Sequence, residues 1–254
     1  MELTHKFKMP SGVMCEILPA DFGDFEALLT AAKRQSNFND ALTKVLATKI
    51  LSIGSKNLTE LEPYQREKFV SEMMPSDLDM CLLTMRQLSY EFPEEFVFFF
   101  LYDENGKQLK KRFSMPLENG NFQFQATEPQ YEEYSEIQDS FQVTINGKIV
   151  RIPIMAGENA IKAKKAAKGK NDITLTDALA LRGCAMKQTP DSDWVGMTAN
   201  DFKRMMPNQI AMITSEIEKR EGKVFASHTI EHPKTGEQIP INILATKDFF
   251  LSEV

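Results

Sequence analysis

Apolar positions along this chain switch repeatedly between a period of two and a period near 3.6, the spacings of strands and helices. Residues 4–9 and 13–18 are short apolar-bearing runs around Pro10-Ser11-Gly12, which predicts an opening hairpin. Asp21 then stands where an N-cap belongs, ahead of Phe25, Leu28, Leu29 and Ala32 on one helical face. A second helix is expected over 39–54, with Leu42, Val45, Leu46 and Ile50 inward and a stop near Gly54. A third, weaker one covers 62–72. A fourth starts at Pro75-Ser76, with Ser76 and Asp79 in capping-box spacing, and ends at Tyr90 or Glu91. Residues 96–102 are continuously apolar and aromatic, the pattern of a strand buried on both faces, and Asp103-Glu104-Asn105-Gly106 supplies the turn before a return over 107–115. Four helices are thus expected between two hairpins. Phe122 and Phe124 alternate with polar residues and predict an edge strand.

The pattern then recurs. Residues 141–145 and 148–154 flank Asn146-Gly147, a strong hairpin dipeptide. Helices are expected over 158–168, 176–186, 198–205 and 207–221, the last stopped by Gly222, and a closing hairpin over 224–230 and 238–244. Met73-Met74-Pro75 is repeated at Met205-Met206-Pro207, and the register of Leu78, Cys81 and Met85 is repeated by Ile210, Ile213 and Ile217. At nearly the same spacing Gly12 matches Gly147, Pro19 matches Pro153, Asp40-Ala41-Leu42 matches Asp177-Ala178-Leu179, Phe69 matches Phe202 and Gly106 matches Gly236. The first helix is poorly echoed, since Lys162 falls where Leu28 stands. The expected fold is α+β, two related units of hairpin, helices and hairpin that arose by duplication. The units are 1–127 and 137–254. Between them, 128–136 is acidic and aromatic, with Tyr131 and Tyr134 among glutamates, and reads as the link between halves or as a solvated, partner-facing loop.

Composition changes this picture little. A hydrophobic share of 42% and a charged share of 26% are those of an ordinary globular protein. The net charge of −6 gives no general attraction to phosphate backbones or anionic lipid. Fourteen methionines and eighteen phenylalanines are unusual, and Met suits adaptable apolar surfaces as well as irregular cores. Cys15, Cys81 and Cys184 fit neither a disulfide framework nor a zinc pattern and are expected as reduced core thiols. With no apolar run at the N-terminus and none long enough for a membrane helix, the expected place is a cytoplasm.

Residues that carry chemistry are sparse. His228 and His232 lack a cysteine or a carboxylate at ligand spacing, so no metal is expected. Nucleophile elbows, phosphate loops and dinucleotide fingerprints are absent from the sequence, and no catalytic residue, small-molecule substrate or cofactor is assigned. Lys162, Lys164, Lys165, Lys168 and Lys170 form the basic cluster; without interleaved aromatic residues it reads as a solvated helix face, with an acidic partner next and nucleic acid after that. Phe249, Phe250 and Leu251 follow the last strand next to Asp248 and Glu253. They form either a partner-docking element or a plug that folds back into the second unit.

Asp79, Leu82-Leu83, Arg86 and Ser89-Tyr90, the turn His232-Pro233-Lys234-Thr235-Gly236 and the tail Phe249-Phe250 together resemble, in order and spacing, the tail and baseplate assembly proteins of T-even-type phages. That family's turn has a Cys-Pro-x-Cys-Gly form; both cysteine positions are lost here, and with them any zinc-knuckle role. The resemblance implies a non-enzymatic late protein that helps assemble the baseplate hub, as a chaperone or a minor structural part. Its partners would be other phage tail or baseplate hub proteins, its place the host cytoplasm or the virion tail.

Overall fold

The computed structural model describes residues 4–33, 38–89, 95–105, 107–116, 123–167, 173–225 and 227–242. The fold is mixed α and β, with small antiparallel sheets. Strands β1 (His5–Lys8) and β2 (Met14–Ile17) form the opening hairpin, and α1 (Phe22–Lys33) follows. Asp21 caps it as expected: the Asp24 N–H donates to Asp21 at 3.0 Å, and the Asp21 N–H donates to Asp24 at 2.9 Å.

Helix α2 (Phe38–Lys49) ends earlier than the periodicity predicts, because Ile50–Ile53 is a strand, β3, paired with β2. The register places Ile17 opposite Ile50 and Cys15 opposite Ile53, with an irregularity between Glu16 and Ile17. That bulge puts Ile50 and Ile53 both into the core at a three-residue spacing, and a bulged strand therefore imitates a helix in the hydrophobic pattern. The two-residue β4 (Lys56–Asn57) completes a sheet of order β1-β2-β3-β4. Helix α3 (Pro63–Ser71) and helix α4 (Pro75–Ser89) follow; residues 90 and 91, the expected end of α4, lie outside the described residues. The capping box expected from Ser76 and Asp79 does not form. Pro75 occupies the first helical position, so Met74 is the cap, its carbonyl accepting from Asp77 and Leu78.

Among the described residues, strands β5 (Glu95–Glu104) and β6 (Lys107–Pro116) pair only with each other. The side chains of 96–101, expected to be buried on both faces, lie outside the described residues. So does Phe122, whereas β7 (Phe124–Gln125) pairs with β12 (Lys223–Val224). Val224, expected in the closing hairpin, belongs to that pair instead. The hairpin itself is β13 (Ser227–Glu231) with β14 (Gln238–Asn242).

The second half repeats the first half's order of elements. Hairpin β8 (Ser140–Ile145) and β9 (Lys148–Pro153) turns at Asn146 and Gly147, with φ of 50° and 77°, the positive values a two-residue hairpin turn needs. Helices α5 (Gly157–Ala167) and α6 (Leu175–Leu181) lead to β10 (Ala185–Lys187), which pairs with β9, and to β11 (Val195–Gly196). The helix expected over 176–186 is therefore shorter: Gly183, at φ 79°, ends it, and Ala185 onward is strand. Sheet order is β11-β10-β9-β8, the arrangement of the first sheet. Helices α7 (Ala199–Lys203) and α8 (Pro207–Glu221) complete the unit. In each half the second helix packs against the first and the third. No helix among the described residues is long and apolar enough to cross a membrane.

Two cores result, and they exchange residues. The first is built on Met9, Leu28, Leu46, Ile53, Met73 and Leu83 but also takes Tyr131 and Ile230. The second is built on Ile145, Ile152, Phe202 and Ile213 but also takes Met74. From Ser76 to Leu88 every residue of α4 except Asp79 is buried, so this helix has no solvent face.

Candidate functional site

Buried, hydrogen-bonded polar residues converge at the N-terminal end of α4, where Met74 enters the second core and Ser76 reaches Glu221. Asp77 is fully buried there. Its carboxylate accepts the Ser11 N–H at 3.0 Å and a hydrogen bond from the Tyr134 hydroxyl, which in turn accepts the Met74 N–H at 3.3 Å. Burial pushes the Asp77 carboxyl from 3.8 to about 6, although the bonds from Tyr134 and Ser11 oppose the rise. Burial and the neighbouring Asp77 carry the Tyr134 phenol well above its usual value. Two residues further along α4, burial also raises Asp79 to about 6.

The acidic segment, expected as the link between halves or as a solvated, partner-facing loop, is a strap fastened across this joint, with Tyr131 buried. Thr127 donates its N–H to the Pro10 carbonyl at 2.9 Å, Tyr131 its N–H to the Ser11 carbonyl at 2.9 Å, and Gln130 its side-chain amide to Pro10 at 3.0 Å. Glu133 accepts the Ser55 N–H at 2.7 Å. The Tyr131 side chain enters the first core, and Tyr134 lies against Phe69 with ring centroids 5.9 Å apart. Gly12, at φ 97°, lies so close beneath the strap that an added Cβ would stand 2.8 Å from the Tyr131 carbonyl oxygen.

Glu221, at the end of α8, fastens the other side. Its carboxylate accepts the Met155 N–H at 2.8 Å and takes the Arg182 guanidinium with both oxygens, at 2.5 and 2.9 Å. Its backbone carbonyl accepts from the Ser76 hydroxyl of the first unit. No buried side-chain nitrogen or oxygen among the described residues lacks a partner.

Cys15, Cys81 and Cys184 are free and buried, as expected. Cys81 lies 3.8 Å from Cys15 and 3.7 Å from the Met9 sulfur, and burial raises its thiol well above the ordinary value. Burial raises Cys184 to about 11, so neither is prepared as a nucleophile. The side chain of His228 lies outside the described residues. His232 lies just past β13, its Nδ1 accepting the N–H groups of Lys234 and Thr235, both at 3.2 Å. The turn that resembles a cysteine-bearing one is thus closed by an imidazole acceptor. No group of histidines, cysteines and carboxylates among the described residues is arranged to hold a metal ion.

Of the basic cluster, Lys162 is exposed and bonded to Glu158 at 3.0 Å, and Lys165 is exposed; Lys168 and Lys170 lie outside the described residues. Two further cations gather on one aromatic ring: Arg151 and Lys187 lie 4.6 and 5.1 Å from the ring of Trp194. Strand pairing of β9 with β10 brings those two residues together, which no local pattern announces. The exposed large apolar side chains include Phe22, Tyr64, Leu175, Val195, Met206 and Met212. Phe249, Phe250 and Leu251, the docking residues expected from the sequence, lie outside the described residues. Asp79, Leu82, Leu83, Arg86 and Ser89 are all on α4, the enclosed helix. No known protein family, curated protein or solved structure matches the chain.

Proposed function

We propose that this protein is a non-enzymatic assembly factor of a phage baseplate hub, working in the host cytoplasm by binding other tail proteins. The order of the motifs on α4, at the His232 turn and at Phe249-Phe250 supports the family side of this reading. The observation that carries its mechanism is where the side chains lie. Asp77, Tyr134, Cys81 and Cys184 are enclosed, and the two polar ones fasten the strap to α4, while Phe22, Tyr64, Val195 and Met206 are presented to solvent. A layout with reactive groups inside and large apolar groups outside suits work by contact.

Affinity-tagged protein made in phage-infected bacteria, recovered and analysed by mass spectrometry, should carry tail or hub proteins with it and be missing from purified particles. Recovery at fixed stoichiometry in the particles would make it a structural part of the baseplate instead. Recovery with no phage protein at all would end the reading.

A further inference from the structure

We propose that this chain associates head to tail with a second copy of itself, the α7–α8 corner of one copy seating on the start of α1 in the next. The inference goes beyond the function proposed above and does not depend on it. Its ground is that the contact is already made once inside the chain. The corner between α3 and α4 inserts Met74 into the second unit's core, where it is 0% exposed, and the Glu72 carbonyl accepts the N–H of Gly157, the first residue of α5, at 2.7 Å. Helix α3 packs against α5.

Each party to that contact has a counterpart, and both counterparts are uncovered. Met206 holds the place of Met74 in the second Met-Met-Pro and is 63% exposed. Met212 holds the place of Met80, and it is 48% exposed where Met80 is 6%. At the receiving side Phe22, the first residue of α1, holds the place of Gly157 and is 81% exposed. The chain thus carries an unused corner at its second unit and an unused seat at its first.

Charge favours the same match. Lys203 and Arg204 are exposed beside Met206, whereas Asp21, Asp24 and Glu26 surround Phe22 and remain net negative with Lys49 bonded to the two aspartates. Because the two surfaces differ, the contact is heterologous. It either closes into a ring or continues as a fibre.

Sedimentation velocity and light scattering over a wide concentration range should show the wild-type mass growing beyond two chains. Phe22→Asp and Met206→Asp should each remain a single chain, with melting temperatures unchanged because both side chains are exposed. Mixed together they should form a species of two chains and nothing larger, since each keeps one intact surface. A photo-crosslinker at position 22 should capture residues 203–212 of another copy. A wild type that stays a single chain at all concentrations overturns the proposal, as does a mixture of the two variants that stays unassociated or a crosslink that maps elsewhere. If Asp destabilises either variant, the Ser substitutions at both positions give the same test.

Discussion

Ser89 ends α4 and Glu221 ends α8, and each fastens the backbone just beyond the second strand of its own unit: the Ala20 N–H donates to the Ser89 hydroxyl at 2.9 Å and the Met155 N–H to the Glu221 carboxylate at 2.8 Å. The carboxylate also holds Arg182, so the two fasteners differ in strength. Glu221→Ala should lower the unfolding free energy by about 3 kcal/mol, because it leaves a mostly buried guanidinium and a backbone N–H unpaired. Ser89→Ala should cost about 1 kcal/mol. Urea titrations of both variants check the order.

Asp77 and Asp79 make stability depend on pH. Their folded values, about 6, lie above the ordinary 3.8, so between these limits the folded chain holds protons that the unfolded chain has released. Their contribution is fully present below 3.8 and is lost as pH rises toward 6, by about 3 kcal/mol for each group. Asp77→Asn removes one such dependence. The stability of that variant relative to wild type should therefore improve between pH 4 and pH 7.5 (about 3 kcal/mol), measured by denaturant unfolding at each pH.

Tyr134→Phe keeps the ring against Phe69 but removes the donor to Asp77 and the acceptor for the Met74 N–H. The expected cost is about 2 kcal/mol. Amide exchange at Met74 should accelerate more than exchange elsewhere in the first unit.

Gly12 and Gly147 hold matching places in the two opening hairpins, both at positive φ, yet an added Cβ at Gly147 meets nothing within 4 Å. Gly147→Ala should carry only the backbone strain, about 1 kcal/mol. Gly12→Ala must also displace the strap at Tyr131, and its loss in thermal stability should be clearly the larger.

Helices with strong caps and hairpins with positive-φ turns were legible in the sequence, as Asp21 and Asn146-Gly147 illustrate. Strands β3 and β10 were not. Each is a short strand closely following a helix, β3 directly after α2 and β10 just past Gly183, and at β3 the bulge beside Ile17 restores a helix-like spacing. Their partners, β2 and β9, lie across a helix pair, and only the folded chain brings them together. The strap misled in another way: glutamates beside tyrosines suggest a solvated stretch, but the rings of Tyr131 and Tyr134 turn inward while Glu132 and Glu136 face water. Ser76 has the sequence of a cap and a different partner, the Glu221 carbonyl, which only tertiary structure supplies. The joint around Asp77 left no trace beyond an acidic residue in an apolar helical register.

The pairing of β7 with β12, and the place of Ile230 in the first core, bear on how the chain is made. Synthesis delivers the N-terminal half first, and domains made in that order commonly fold as they emerge. Here the earlier half lacks its last pieces until the later half has been translated through Ile230, so a nascent chain carries an open apolar seam until then.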